Sequence, residues 1–265
     1  MFGKVKVTPT PEAAPTADLP LRILQTSLLL EGVTAPELAE FCPEPVSLAV
    51  GLSEFVLLEG LTTREADLLL QLAATLRRPA AGRIFHWGRD LFALSRRALY
   101  PWRGKLAFVS PFQSLLPRLS VLENVTLSQT LTTARSAREV ARQQHTLLEQ
   151  LGLTEFLSRY PGELPVRQYH LALWARELIK QPHLILGVLS GQAEQCDSPD
   201  VAGYLLPWLK EYHTNRRGAV LLGGPFLESA HQVADRCLDC RGGRWQEQPL
   251  GGRESRPLIA YLDLL

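Results

Sequence analysis

Two cysteines, Cys237 and Cys240, form a CxxC pair, a spacing that can bind a metal ion or carry out redox chemistry. A structural zinc site usually needs a second pair of ligands, and the sequence offers no convincing CxxC or HxxxH partner. If the pair lies on a strand, residues three apart point to opposite faces, which is poor geometry for one metal ion. We therefore expect ordinary cysteines and no metal.

The overall composition indicates a globular protein. The chain has 265 residues, of which 46% are hydrophobic and 21% charged, and its net charge of +1 does not favour nucleic acid or an acidic membrane as a partner. No apolar run approaches the ~20 residues that span a bilayer. Residues 1–20, rich in Pro, Thr and Ala, lack the apolar core of a signal peptide and are predicted to be a flexible tail. We expect a cytoplasmic protein that meets membranes only through partners.

Compact apolar runs alternate with helical patterns along the chain. Buried strands are predicted at residues 55–59, 106–109, 183–189 and 219–222. Helices are predicted at residues 62–78, 136–151, 167–180 and 199–212. This alternation predicts an α/β fold with a parallel sheet covered on both faces.

Four segments follow one another over residues 46–245: VSLAVGLSEFVLLEG, AAGRIFHWGRDLFALS, FVSPFQSLLPRLSVLENV and HQVADRCLDCRGGR. In order and spacing they resemble the nucleotide-binding subunit of ABC transporters. The first is similar to the entry into the phosphate loop, the second to the stretch that follows the first helix, the third to the Q-loop and the last to the terminal unit. The resemblance implies a P-loop NTPase-like (ABC ATPase) α/β core at residues 21–250, with an antiparallel β layer and a helical subdomain at about 112–170. Residues 251–265 would then be a C-terminal extension.

By this resemblance, residues 60–67 (GLTTREAD) hold the place of the phosphate loop. Such a loop needs several glycines, a lysine for the β- and γ-phosphates and a hydroxyl for magnesium. Gly60 is the glycine that remains, whereas Ala66 stands at the lysine position and Asp67 at the hydroxyl position. The carboxylates of Glu59 and Asp67 would repel a triphosphate. The pattern indicates either active rejection of nucleotide or drift after the site lost its role.

The family's hydrolytic positions also differ. Val188 and Leu189 stand where the resemblance places the magnesium-binding Asp and the catalytic Glu, and Gly224 stands at the switch histidine. His231, a few residues further on, is interpreted as a surface or capping residue. We therefore predict a pseudo-ATPase, not an enzyme, with no catalytic residues and no cofactor.

Partner-binding features of the family remain. Gln113 is intact, and in this family its loop borders the cleft that receives the membrane subunit. Apolar residues around it indicate either a protein interface or internal packing: Phe112, Leu115 and Leu116. At the signature position (LPVRQ), Arg167 is either a contact to a partner's phosphate or a solvated arginine at a helix start.

The resemblance implies a non-catalytic subunit of a membrane transport complex at the inner face of the cell membrane. Its partners would be a permease subunit and a second ATPase subunit or another copy of itself. The spacer at residues 94–103 is similar to the subgroup that serves MCE-type lipid transport. Two alternatives stay open: an ATP-hydrolysing subunit with an unorthodox site using Asp67 and a lysine from elsewhere, or a soluble interaction protein that borrowed the fold.

Overall fold

The structure, a computed structural model, describes residues 26–130, 137–189, 201–216, 218–225, 228–243, 245–248 and 250. The predicted tail at 1–20 and the predicted extension at 251–265 lie outside these residues. Within the described part of the chain, no helix combines the length and apolar character needed to cross a bilayer.

The described chain contains ten strands and seven α-helices. The strands are β1 (Thr26–Thr34), β2 (Val46–Gly51), β3 (Phe55–Glu59), β4 (Ala81–His86), β5 (Arg89–Asp90), β6 (Leu106–Val109), β7 (Leu184–Val188), β8 (Ala219–Gly223), β9 (Arg236–Asp239) and β10 (Gln246–Gln248). The helices are α1 (Thr63–Ala73), α2 (Arg96–Arg103), α3 (Val121–Thr130), α4 (Ala137–Gln150), α5 (Val166–Leu178), α6 (Val201–Arg216) and α7 (Glu228–His231).

The strands form two sheets. Six strands form the central sheet in the order β10-β9-β3-β8-β7-β6, and its pairs are parallel except for β10 with β9. The other four form an antiparallel sheet in the order β2-β1-β4-β5. This confirms the predicted α/β core with a largely parallel sheet and the predicted antiparallel β layer.

Alternate residues of the central strands belong to separate cores on the two faces of the sheet. In β3, Phe55 and Leu57 pack with α5 and α6, whereas Val56 and Leu58 pack with α1 and the antiparallel sheet. Such strands are buried on both sides, which explains why they appear in the sequence as continuous apolar runs rather than as alternating patterns. The carboxyl ends of the parallel strands meet at one edge.

Two helices were not predicted. Helix α2 contains Pro101, a residue that disfavours a helix interior, and its first turn is stabilised by the Ser95 hydroxyl, which accepts a hydrogen bond from the Ala98 amide. Helix α3 begins after a capping box in which Ser120 and Glu123 exchange hydrogen bonds. The S-x-x-E spacing is a start signal that would have located α3.

Candidate functional site

The positions that the sequence analysis singled out for nucleotide chemistry come together at the carboxyl edge of the central sheet. Strands β3, β7 and β8 are neighbours there, and their ends are tied by main-chain bonds. The Leu189 amide donates to the Gly223 carbonyl at 3.0 Å, and the Gly224 amide donates to the Leu58 carbonyl at 3.3 Å. In open α/β sheets, this edge is where ligands bind.

The connection between β3 and α1 is short and uses its own groups as hydrogen-bond partners. Helix α1 begins at Thr63, so residues 60–62 make the whole connection. The Thr62 hydroxyl accepts from the Glu65 amide at 3.3 Å, and the Glu65 carboxylate accepts from the Thr62 amide at 2.7 Å. This capping box uses the amides of Thr62 and Glu65 as donors, and the Glu65 carboxylate adds a negative charge. A loop that binds phosphate needs amides that are free to donate. The amides of Thr62 and Glu65 are already engaged at the start of α1.

Ala66 and Asp67 lie buried on α1. Ala66 is fully buried and packs against Gly223, where an added β-carbon would lie 3.0 Å from that of Ala66. Asp67 is only 6% exposed, and its Oδ2 accepts a hydrogen bond from the Gln71 amide nitrogen at 2.7 Å. No residue in the described part of the chain hydrogen-bonds to its Oδ1. A buried carboxylate oxygen without a partner has the chemistry of a magnesium ligand.

The ends of β7 and β8 are apolar. Val188 and Leu189 are buried, with exposed fractions of 3% and 5%. Neither side chain can accept a proton or hold magnesium, as the sequence analysis noted. Gly224 adopts a φ of +135°, which favours glycine.

The loop after β6 is organised by a buried residue whose role the sequence analysis missed. The Asn124 carboxamide accepts from the Leu116 amide at 2.7 Å and donates to the carbonyls of Leu116, Leu119 and Ser120, each at 3.0 Å. Gln113 donates from its side chain to the Phe108 carbonyl at 3.2 Å. Asn124 therefore holds the shape of the loop that presents Gln113.

The apolar residues beside Gln113 divide between surface and core. Phe112 is 57% exposed and Leu116 is 45% exposed, whereas Leu115 is only 3% exposed and packs in the core. Predicting Leu115 as a partner contact therefore conflicts with its burial, because alternate sides of the loop face the interior. Phe112 and Leu116 remain available as surface.

The start of α5, at the signature position, connects to this loop. The Tyr169 hydroxyl accepts a hydrogen bond from the Leu115 amide at 3.1 Å. Val166 is 54% exposed and Arg167 is half-buried, while Gln168 is buried. The segment thus presents Val166 and part of Arg167 rather than bare glycine backbone.

Comparisons with known proteins show the family of this chain. No family model matches the chain. It is 33% identical over 195 residues to the lipoprotein-releasing system ATP-binding protein LolD of Anaeromyxobacter dehalogenans, an alignment that covers 72% of this chain and 78% of LolD. The chain belongs to the ATP-binding subunits of ABC transporters. A second relative, the methionine import ATP-binding protein MetN of Cupriavidus metallidurans, is 28% identical over 199 residues, covering 75% of this chain and 57% of MetN.

A solved structure shares the fold of this ABC subunit. The dimeric bacterial ABC transporter cassette MJ0796 superposes with a TM-score of 0.73 and 22% identity, covering 85% of this chain and all of that one. The same cassette is also known in a post-hydrolysis state bound to ADP and Pi.

The prediction that the chain is not an enzyme is contradicted by these relatives. LolD and MetN are both ATP-binding proteins, and the related cassette was captured after hydrolysis. The prediction was drawn from standard motif positions alone, and the overall similarity points instead to an ATPase.

A contact between distant segments of this ABC subunit was also missed. His231, interpreted as a surface or capping residue, places its Nε2 2.5 Å from the Glu59 carboxylate at the end of β3. Cys237 packs in the core that contains Phe55 and Leu57, whereas Cys240 packs in the core on the other face of the sheet. The two cysteines therefore do not share a metal ion. Nothing in local sequence spacing indicates the Glu59–His231 contact, because 172 residues separate the two.

Proposed function

We propose that this chain is the ATP-binding subunit of a membrane transport complex and hydrolyses ATP at an unorthodox nucleotide site. The observation that carries the proposal is the 33% identity to LolD across 78% of that protein. By the resemblance, Ala66, Val188 and Leu189 stand at the family's standard positions, so we assign the phosphate and water contacts to other groups.

Asp67 is the residue that we assign to magnesium in this site. Magnesium binds carboxylate oxygens and neutralises charge on a nucleotide's phosphates. Among the described residues, Asp67 Oδ1 has no hydrogen-bond partner, while Oδ2 is oriented by Gln71. A lysine from elsewhere in this chain or from a second subunit would supply the positive charge that Ala66 does not.

The test is an ATP titration of the purified full chain with and without magnesium, followed by a turnover assay. We expect micromolar ATP affinity and magnesium-dependent turnover, with turnover reduced at least about 100-fold in Asp67→Asn. Asp90→Asn is the matched control. The Asp90 side chain accepts a hydrogen bond from the Phe92 amide, and an asparagine at this position can still accept it. Absence of saturable ATP binding in the wild type would refute the proposal.

The second part of the proposal concerns the membrane partner. Phe112, Gln113 and Leu116 would form the surface that receives a permease subunit. Exposed apolar side chains next to a polar, well-held loop are typical of an interface, and Asn124 keeps this loop ordered. The pairing would place the subunit at the inner face of the cell membrane.

Co-purification from detergent-solubilised native membranes tests the permease contact. We expect the wild type to bring down a membrane permease and the Phe112→Ser/Leu116→Ser variant to lose it. Leu52→Ser is the matched control, because Leu52 is 46% exposed, nearly the same as the 45% of Leu116, but lies in the turn between β2 and β3. Retention of the permease by the double variant would exclude this surface.

Pairing with a second ATPase subunit, or with another copy of this chain, is supported by the dimeric state of MJ0796. The exposed Val166 and the half-buried Arg167 at the start of α5 would face that partner. Sedimentation of the wild type and of Arg167→Ala, each with and without ATP, tests this. ATP-dependent dimers that Arg167→Ala weakens are expected, and an unchanged distribution would remove Arg167 from the contact.

For the cargo, we propose a lipid or a lipid-linked molecule. LolD serves lipoprotein release, which supports this choice, whereas MetN serves methionine import. The MCE-type subgroup suggested by residues 94–103 stays part of this proposal. Mass spectrometry of lipids retained by the co-purified complex is the test, and a complex without enriched lipid would refute it.

A further inference from the structure

Three side chains from separate elements converge beside the end of β3. Glu59 ends that strand, His231 ends α7, and Cys237 lies in β9. His231 Nε2 is 2.5 Å from Glu59 Oε1 and 3.9 Å from Cys237 Sγ, and one ligand atom from each residue lies within 4.8 Å of the other two. We propose that Glu59, His231 and Cys237 bind a late first-row divalent cation, with Zn²⁺ the best match.

The spacing of these atoms is close to that of a zinc site. With zinc–ligand distances of about 2.0 Å to nitrogen and oxygen and about 2.3 Å to sulfur, a tetrahedral site has N···O edges of about 3.3 Å and N···S edges of about 3.6 Å. The N···S distance of 3.9 Å is already near its value. The N···O distance of 2.5 Å must open by less than an ångström, roughly the shift of one side-chain torsion.

The donor set selects the class of metal. One imidazole nitrogen, one thiolate sulfur and one carboxylate oxygen suit zinc and its neighbours, whereas magnesium and calcium prefer oxygen ligands alone. This distinguishes the cluster from the magnesium position that we assign to Asp67. The inference is independent of the nucleotide proposal, because neither the cluster nor its test requires ATP.

Access to the cluster is from one side. Cys237 is fully buried, while the side chains of His231 and Glu59 are 35% and 18% exposed. An ion would therefore bind the buried sulfur on its inner side and keep its fourth coordination position toward solvent. Three protein ligands with an open fourth position are the arrangement of zinc sites that also bind water or a small ligand.

Binding of a cation by these three side chains is coupled to the release of protons from them. Zinc binds the thiolate and the deprotonated Nε2 of His231. The S–H bond breaks as the Zn–S bond forms and that proton goes to solvent, while the proton that Nε2 shares with Glu59 moves to Nδ1 or to solvent. The cation also offsets the negative charge of Glu59.

Cobalt titration of the metal-free full-length protein tests the proposal. We expect one equivalent of Co²⁺ to produce the sulfur-to-cobalt charge-transfer band of a thiolate ligand, Zn²⁺ to abolish it, and at least about one proton to be released per ion into weak buffer. Cys237→Ser should lose the band, and His231→Gln should weaken Zn²⁺ affinity at least about tenfold.

Matched controls separate the cluster from other thiols and imidazoles. Cys240→Ser changes a cysteine on the other face of the same sheet, and His145→Gln changes an exposed histidine on α4; both should keep the band. Because His231 is partly exposed, His231→Gln should fold even if Cys237→Ser does not. No band in the wild type, a band that survives Cys237→Ser, or unchanged Zn²⁺ affinity in His231→Gln would overturn the proposal.

Discussion

Gly224 packs against the main chain of Leu189 so closely that an added β-carbon would lie 2.1 Å from the Leu189 carbonyl oxygen. Its φ of +135° is also one that L-amino acids rarely adopt. The resemblance to ABC subunits assigns the switch histidine to this position. In this backbone conformation no side chain fits there, so a histidine at this position would require the main chain to shift.

Replacing Gly224 should therefore destabilise the protein. We expect Gly224→Ala to lower the free energy of unfolding by about 3 kcal/mol, since it adds both a steric clash and an unfavourable φ. Gly152→Ala is the control, because Gly152 has a φ of +64° but no atom within 4 Å of an added β-carbon. Its cost should be about 1 kcal/mol. Equal losses for the two variants in denaturant unfolding would show that the contact with Leu189 is unimportant.

Asn124 should contribute much of the order in the loop around Gln113. Asn124→Ala removes the side-chain hydrogen bonds to Leu116, Leu119 and Ser120 and leaves buried main-chain groups unpaired, so we expect a loss of about 2–3 kcal/mol in unfolding free energy. Amide exchange at Leu116 should accelerate by at least about tenfold. Thr126→Ala, which removes a hydroxyl bond to Leu122 in the same helix, should cost no more than about 0.5 kcal/mol. Unchanged exchange at Leu116 would contradict the assigned role.

His86 should make the protein sensitive to acid. Its Nε2 donates to the Ala73 carbonyl at 2.7 Å, and burial lowers its pKa to about 4 from the ordinary value of 6.5. The folded state thus holds the neutral ring, and its stability is complete above pH 6.5 and falls as the pH drops toward 4. Between pH 7.5 and 5, His86 accounts for a loss of about 2 kcal/mol.

The measurement is denaturant unfolding of the wild type and of His86→Gln at both pH values. The acid-induced loss should be about 2 kcal/mol smaller in the variant. His213 is a control because its pKa shifts in the opposite direction to that of His86: its hydrogen bond to Asp235 raises the pKa. Its contribution is complete below pH 6.5 and is lost as the pH rises through the raised value. Equal acid sensitivity in the wild type and His86→Gln would contradict the assignment to His86.

Arg236 should be among the most sensitive charged residues. Its side chain is 3% exposed, contacts Glu54 at 3.1 Å and donates to the Ala49 carbonyl at 2.5 Å. Removing one partner of a buried ion pair leaves the other uncompensated, so Arg236→Ala should cost about 3 kcal/mol. The matched control is Arg77→Ala, whose partner Glu37 is 45% exposed and whose loss should stay below about 1 kcal/mol. Similar losses in denaturant unfolding would contradict this ranking.

Local sequence determined most of the secondary structure of this protein. The strands β3 and β6 begin and end where their apolar runs predict, since a strand buried on both faces needs an uninterrupted apolar segment. The order of the motifs also sufficed for the ABC fold. Helix α2 was not predicted because Pro101 disfavours a helix interior, and in the folded chain this helix contacts β6.

Tertiary structure alone decided which distant residues meet. Leu115 and Leu116 are adjacent and chemically identical, yet one is buried and the other exposed, because the loop direction is set by Asn124. Strands β3 and β9 are far apart in the sequence but pair as neighbours, which brings Glu59 and Cys237 close together. His231 joins them because α7 directly precedes β9. Periodicity reports which face of an element is apolar, but strand order and loop course determine which side chains share that face.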